Sequence, residues 1–259
     1  MINRYIPFGK TLCGVLPFLI VWAVACAPRL NKTASLFQKV CVRYQLPKVA
    51  LDGSMEVIRD SFYMSYYEDY VICQSPVKVF HENDTAIIDS SIRYQCFVFK
   101  KGNEYGKWFD SVGDPKYMKC KVDSILKKKA FGGIKLFDPH NFTLVEHRVD
   151  RIHRGSIQTY VPLFTPDEFY GDTCKLFTVP PQLASAYTMV PMYDTIHKDK
   201  VWRAEIRFRQ TFSARYNIML PPRAFIFEAI NLSQFNTHEL MKLIHMYEND
   251  EYEEYNGIF

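Results

Sequence analysis

The chain has 259 residues, 48% of them hydrophobic and 15% aromatic, and a formal net charge of +4. This composition excludes an intrinsically disordered chain, and so small a net charge argues against a nucleic-acid-binding protein. The 17 tyrosines and 20 phenylalanines favour strands over helices, because aromatic side chains pack well on a pleated sheet.

The first 25 residues have the layout of a signal peptide. Arg4 and Lys10 provide the positive charge, and residues 11–25 follow without a charged side chain. A helix of that length reaches about 22 Å, which is shorter than the roughly 30 Å hydrocarbon core of a bilayer. Small residues then precede Cys26, as they do at a site for signal peptidase. We therefore expect residues 1–25 to direct export and to be removed.

Cys26 is the predicted point of attachment to a membrane. The four residues "AVAC" that end at Cys26 resemble a bacterial lipobox, in which the cysteine becomes the lipidated first residue. An acyl chain there would hold the protein at a membrane surface without a spanning helix. The alternative is an ordinary cleaved signal that happens to be followed by a cysteine.

Residues 26–50 are predicted to form a basic linker, with one short element near residues 36–42. Between residues 27 and 51 there are five positive charges and no acidic residue. A solvated linker explains this composition. A basic segment beside a lipid anchor is also suited to contact with anionic headgroups, which is the alternative.

Residues 51–259 are predicted to form a single β-rich domain. Apolar and polar residues alternate in residues 92–98, 117–122 and 157–163, and most clearly in residues 202–209. In this last run the apolar face consists of Trp202, Ala204, Ile206 and Phe208, and the polar face of Arg203, Glu205, Arg207 and Arg209. Turn signals separate the runs, and alternation with one polar face is typical of antiparallel sheets.

Two segments are predicted to be helical. Residues 123–133 end in a pair of glycines, which suit the end of a helix. Residues 237–249 carry apolar side chains at helical spacing, and Asn236 or Thr237 can cap their first turn. The fold class that follows is mainly β, within the α+β class: a curved antiparallel sheet or half-barrel with a C-terminal helix packed on it.

No catalytic, cofactor-binding or metal-binding residues can be assigned from the sequence. His238 and Glu239 begin a zinc-protease motif, but Lys242 stands where the second histidine ligand is required. The five cysteines that follow Cys26 show no metal-binding spacing, and in an exported chain we expect at most one or two disulfides among them. These cysteines are Cys41, Cys73, Cys96, Cys120 and Cys174.

Residues 146–154 contain a dense group of charged and histidine side chains. His147 and His153 would lie about 20 Å apart on an extended strand, too far apart to bind one metal ion. We predict an exposed ladder of cross-strand ion pairs formed with the arginines of this run. The alternative is that these arginines bind an acidic ligand.

The run "SFYMSYYEDYVIC" at residues 61–73 is the candidate ligand-binding segment. One interpretation is an aromatic wall for a hydrophobic or sugar ligand, formed by Tyr63, Tyr66, Tyr67 and Tyr70. The other is that the tyrosines support the sheet, with Tyr66 in the core and Tyr63 and Tyr67 covering the outer face.

Two phrases of the sequence point to a family. "SYYEDYVI" at residues 65–72 and "FVFKKGNEYGKWFDS" at residues 97–111 follow a lipobox-like signal. This layout resembles the exported proteins and lipoproteins of Bacteroidota, and in particular relatives of the GLPGLI group. The resemblance implies a location in the cell envelope and supplies no active site.

The sequence therefore predicts an exported envelope protein, a lipoprotein of the periplasm or outer membrane or otherwise a secreted protein. It would bind a hydrophobic ligand or an envelope partner protein, without catalysis, a cofactor or nucleic acid. Two alternatives stay open: a secreted hydrolase with an unrecognised active site, and a structural accessory subunit of an outer-membrane complex.

Overall fold

The computed structural model describes residues 37–50, 52, 54–77, 93–128, 130–135, 137–164, 171–214, 217–249 and 253–254. The predicted signal peptide, the lipidation site Cys26 and the first part of the predicted linker lie outside these residues.

Strands make up most of the described secondary structure. The strands are β1 Gln38–Val49, β2 Met55–Tyr67, β3 Tyr70–Pro76, β4 Tyr94–Lys100, β5 Tyr105–Phe109, β6 Lys116–Lys121, β7 Phe142–Asp150, β8 Gly155–Pro162, β9 Thr173–Val179, β10 Lys200–Phe208, β11 Thr211–Ser213, β12 Ile218–Leu220, β13 Arg223–Leu232 and β14 Glu253–Glu254. The helices are α1 Val122–Lys128, α2 Pro191–Ile196 and α3 Thr237–Glu248, with short 3-10 turns at Ala130–Gly132, Pro139–Asn141 and Pro181–Leu183.

Twelve strands form one sheet in the order β14-β6-β5-β4-β3-β2-β1-β13-β10-β9-β8-β7. Every pairing in it is antiparallel except that of β14 with β6, and β11 and β12 pair separately. The sheet is curved and does not close into a barrel, so that β7 and β14 stand at its two ends. The predicted fold class is confirmed.

The predicted linker is wrong for residues 38–49, because they form strand β1 in the middle of the sheet. This strand pairs with β2 along its whole length and with β13 on its other side. Val40, Val42 and Tyr44 face the core, whereas Lys39 and Arg43 point to the opposite face. Basic residues in this segment obscure the alternation of apolar and polar residues, which is the signal of a strand.

One face of the sheet, here called the inner face, carries a continuous row of apolar side chains. Direct cross-strand partners run from β1 to β6 through Val40, Met64, Cys73, Phe97, Trp108 and Met118. Two further segments, residues 131–137 and residues 187–193, the second of which runs into helix α2, pack on this face. They contribute the buried side chains of Phe131, Ile134, Phe137, Tyr187, Met189 and Tyr193.

The opposite, outer face is covered by helix α3 where it crosses β3, β4 and β5. Leu240, Leu243 and Met246 of α3 are fully buried there. They pack with Ile72, Cys96, Val98 and Phe109 of the sheet. The Asn236 side chain caps the helix by accepting a hydrogen bond from the amide of Glu239 at 3.2 Å. The predicted C-terminal helix and its packing on the sheet are confirmed.

Two local details differ from the predicted patterns. A β-bulge in β10 places Val201 in the core, so Trp202 leaves the predicted apolar face and packs against Phe177 and His153. Helix α1 ends at Lys128, and a 3-10 turn continues to Gly132, where we expected one helix from residue 123 to residue 133.

The five cysteines of the described chain are buried free thiols, so no disulfide forms among them, within the expected limit of one or two. Cys73, Cys120 and Cys174 belong to the inner-face core, and Cys96 lies under α3. Each behaves as a small core residue.

Helix α3 offers a direct test of the packing on the outer face. Leu243→Ala is expected to lower the free energy of unfolding by about 2–5 kcal/mol, because it leaves a cavity between α3 and the sheet. Met241→Ala, on the exposed side of the same helix, is expected to change it by less than about 0.5 kcal/mol. Urea denaturation of both variants measures the difference. Equal losses of stability would show that α3 does not pack on the sheet through Leu243.

Candidate functional site

The four tyrosines of the candidate ligand-binding segment lie on two faces of the sheet. Tyr66 is on the inner face, where burial raises its pKa. The other three are on the outer face. The ring of Tyr67 stacks on Phe37 at 4.4 Å, and the hydroxyl of Tyr70 donates to Glu248 at 3.0 Å. The sheet therefore does not bring Tyr63, Tyr66, Tyr67 and Tyr70 together into one wall.

A semi-buried polar cluster lies beside these outer-face tyrosines. The ammonium of Lys39 donates to Gln74 at 2.7 Å, and the amide of Gln74 donates to Glu239 at 3.0 Å. Desolvation lowers the pKa of Lys39. Burial raises the pKa of the neighbouring Cys96 thiol to about 12, so this cysteine is not a nucleophile. The cluster joins β1 and β3 to the first turn of α3, and these hydrogen bonds run between its own side chains.

A polar depression of about 410 Å³ lies on the outer face near the end of α3. Lys107 of β5 and Lys119 of β6 are direct cross-strand partners there. Lys107 sits over the rings of Tyr117 and Tyr247 and donates to the carbonyl oxygen of Asn249 at 3.2 Å. The helix terminus and the aromatic faces thus stabilise two like charges that would otherwise repel each other.

The other end of the sheet is much less covered. In the edge strand β7 all residues between Phe142 and Asp150 are exposed, whereas the next strand, β8, is largely buried. On the inner face Leu144 pairs with Tyr160, and Val149 pairs with Ser156. Leu144 is 47% exposed and Val149 is 71% exposed. The apolar inner face therefore extends one strand beyond the segments that cover it.

A buried hydrogen-bond network marks the limit of this cover. The hydroxyls of Tyr160 and of Tyr193, in α2, both donate to the side-chain oxygen of Gln158, at 2.6 and 3.0 Å. The amide of Gln158 donates to Ser156 at 3.2 Å, and the Ser156 hydroxyl lies 2.8 Å from that of Thr178. The network fixes α2 over β8 and leaves β7 uncovered.

One further apolar side chain continues the surface just beyond β8. Phe164 is 37% exposed. The ring of Phe164 meets Phe142 edge-on at 6.2 Å, and Phe142 in turn contacts Phe137 in the core. We call the exposed side chains of Leu144, Val149 and Phe164 the β7 apolar surface.

The hairpin between β7 and β8 has a well-ordered turn. Asp150 accepts hydrogen bonds from the amides of Ile152 and His153 at 3.1 and 3.2 Å, and its other oxygen lies 2.7 Å from the ring of His153. That ring packs on Trp202, with 4.5 Å between centroids. Gly155 ends the turn, where a Cβ atom would collide with the carbonyl oxygen of Thr178. These contacts fix the backbone of the turn.

The predicted ladder of ion pairs in residues 146–154 is wrong. Within the described part of the chain, no carboxylate lies within 4.0 Å of the guanidinium groups of Arg148, Arg151 and Arg154. Glu146 accepts instead from the hydroxyl of Thr159 at 2.9 Å, and Asp150 is used by the turn. The cross-strand partner of Arg148 is Ile157, and Arg151 and Arg154 lie in the turn, so the pairing of β7 with β8 offers these arginines no acidic partner.

The described ranges hold no group of three or more His, Cys, Asp or Glu residues that could bind a metal ion. None of their helices is long and apolar enough to cross a membrane.

Comparison with known proteins gives little. No family model matches the chain, and no curated protein matches its sequence. Among solved structures, a LolA superfamily protein from Nitrosomonas europaea aligns with 81% of this chain and 94% of its own, at 8% identity and a TM-score of 0.23. A putative outer membrane lipoprotein-sorting protein domain from Vibrio parahaemolyticus aligns with 81% and 91%, at 5% identity and a TM-score of 0.18. Scores this low assign neither a family nor a function to the chain.

The turn at Asp150 is expected to loosen in acid. Its hydrogen bond with His153, helped by the backbone amides, holds the pKa of Asp150 below the ordinary value of 3.8. Because the folded pKa is depressed, the contribution of Asp150 to stability is present above the unfolded pKa. It is lost as the pH falls through the folded pKa. Amide chemical shifts of Ile152 and His153 followed by NMR during acidification should change in this range.

Asp150→Asn provides the control for this titration. The amide carbonyl cannot be protonated in this range, so the acid-dependent shifts should disappear in the variant. Identical titration curves in the two proteins would contradict the assigned role of Asp150.

Proposed function

We propose that this chain is an exported envelope protein, attached to a membrane through an acylated Cys26, that binds a hydrophobic or amphiphilic ligand along the β7 apolar surface without chemical change. The signal-like N-terminus and its resemblance to exported proteins of Bacteroidota support export. The observation that carries the binding proposal is that Leu144 and Val149 continue the apolar inner face beyond its cover.

The dimensions of the surface favour an elongated apolar chain. Leu144 and Val149 are about 17 Å apart along the strand. Burying the exposed part of each of the three side chains would contribute about 1 kcal/mol apiece. Between the two aliphatic side chains, His147 faces the inner side as the partner of Gln158 and offers a hydrogen-bonding group to a polar head. A compact ligand would reach only part of this surface.

A hydrolase is the less favoured alternative. Cysteine is excluded as its nucleophile among the described residues, because all five thiols there are buried. Burial raises the pKa of both Cys96 and Cys174, which keeps these thiols protonated at neutral pH.

The ligand-binding proposal is tested with a fluorescent fatty acid below its critical micelle concentration. The double variant Leu144→Ser/Val149→Ser should bind it at least about tenfold more weakly, because two apolar contacts are lost. Met219→Ser is the matched control: Met219 is 51% exposed, but it belongs to the separate β11–β12 pair. Unchanged affinity in the double variant, or an equal loss in the control, would remove the basis for this site.

The anchor is tested separately by intact-mass analysis and membrane fractionation of cells producing the chain. The unaltered protein should begin at residue 26, carry an acyl mass and sediment with membranes. Cys26→Ser should lose both the acyl mass and the membrane association that depends on it. A soluble unaltered protein without an acyl mass would rule out the lipoprotein proposal.

A further inference from the structure

The tip of the β7–β8 hairpin combines an exposed aliphatic side chain with unpaired positive charge. Ile152 is 87% exposed, the highest value among the large hydrophobic residues that the structure describes. It lies between Arg151 and Arg154 along the turn, and Arg148 lies two residues before the turn on β7. Water is a poor environment for this isoleucine, and nothing in the described fold covers it.

The acidic groups nearest in sequence form no ion pair with these arginines in the described residues. Asp150 is engaged by two backbone amides and by His153, and Glu146 accepts from Thr159. The three arginines are exposed and have no carboxylate within 4.0 Å in the described residues. The tip therefore presents positive charge around a protruding apolar residue.

We propose that this hairpin tip docks on an anionic lipid surface, with Ile152 inserted among the headgroups and Arg148, Arg151 and Arg154 beside their phosphates. The chemistry is complementary in both respects, since such a surface offers negative charge above an apolar interior. The hydrogen-bonded turn adds to this complementarity, because its backbone needs little rearrangement on binding.

The shape of the tip favours a membrane over a protein or a nucleic acid. A stable protein interface buries about 800 Å² on each partner, which requires a broad surface, whereas four residues form this tip. A nucleic-acid backbone would use the arginines but would leave Ile152 in water. A lipid surface uses both the charge and the isoleucine.

Docking at the tip does not depend on ligand binding at the β7 apolar surface. The two sites involve different side chains, and either one can be removed alone. If both operate, β7 runs from the docked tip along the proposed ligand site, so a ligand leaving the membrane would meet Val149 first.

The test is co-sedimentation with phosphatidylcholine vesicles prepared with and without phosphatidylglycerol. The full chain carries Cys26→Ser in every variant, so no acyl group contributes and any remaining effect of the N-terminal residues cancels. Binding should require phosphatidylglycerol and weaken with added salt. Equal binding to both kinds of vesicle, or binding to neither, would overturn the proposal.

Arg154→Gly is the most informative variant. Arg154 has a φ of +55°, a conformation that glycine adopts without strain, so the substitution removes a charge while suiting the turn. The partition coefficient should fall about fivefold, as expected for one arginine near an anionic surface. Arg151→Gln should have a similar effect, whereas Arg59→Gln, an exposed arginine of β2, should have none.

Ile152→Ser separates insertion from simple charge attraction. It should weaken vesicle binding at unchanged net charge, while Met219→Ser does not. Unchanged binding of Ile152→Ser would overturn the insertion, and so would a preference for heparin or DNA over the vesicles. Ile152→Ser should still bind the fluorescent fatty acid, and Leu144→Ser/Val149→Ser should still bind vesicles, so the failure of one proposal is distinguishable from the failure of the other.

Discussion

The structure depends on the unequal coverage of a long apolar sheet. Its inner face presents a continuous row of side chains from β1 to β6, and apolar area of that size must be removed from water. Helix α3 covers β3 to β5 on the outer face. On the inner face, Phe131 and Tyr187 contact Phe62 of β2, and Phe137 contacts Tyr160 of β8. The cover ends before β7, the last strand of the sheet. The apolar side chains of Leu144 and Val149 on β7 are therefore exposed.

The positively charged side chains at the two ends of the sheet have different surroundings. Near β5 and β6, Lys107 and Lys119 are stabilised by tyrosine rings, and Lys107 also by a carbonyl oxygen at the end of α3. At the β7–β8 hairpin the nearby carboxylates are used by other donors, and the arginines stay free of described acidic partners. Charge that is satisfied within the fold has a structural role, whereas charge without a partner remains able to interact with another molecule.

The sequence predicted the elements whose patterns are local. Helix α3 followed from its apolar spacing and the Asn236 cap, and the alternation of residues 203–208 gave a strand with the correct faces. Trp202 was misplaced because a bulge has no sequence signal of its own. Strand β1 was missed because a run of basic residues obscured its alternation. Residues 131–137 and 187–193, which cover the inner face, contain only a short turn and the start of α2. They are too short to show a hydrophobic periodicity that predicts their position.

The candidate site was predictable only in part. The tyrosine pattern correctly separated Tyr66 from Tyr63 and Tyr67, since successive residues of a strand face opposite sides. The charged run at residues 146–154 was found, but its chemistry was not, because pairing depends on register. The apolar partner of Arg148, the turn at residues 151–154 and the backbone amides that occupy Asp150 decide which charges remain unpaired. None of these is visible before the chain folds.

The central position of β1 imposes an order of assembly. Its first neighbour, β2, follows directly in the chain, but its second neighbour contributes Leu232 opposite Lys39. A chain that emerges N-terminus first holds β1 with one open edge until Leu232 and the rest of β13 have appeared. Such long-range pairing slows folding and exposes the edge of β1 to self-association in the meantime.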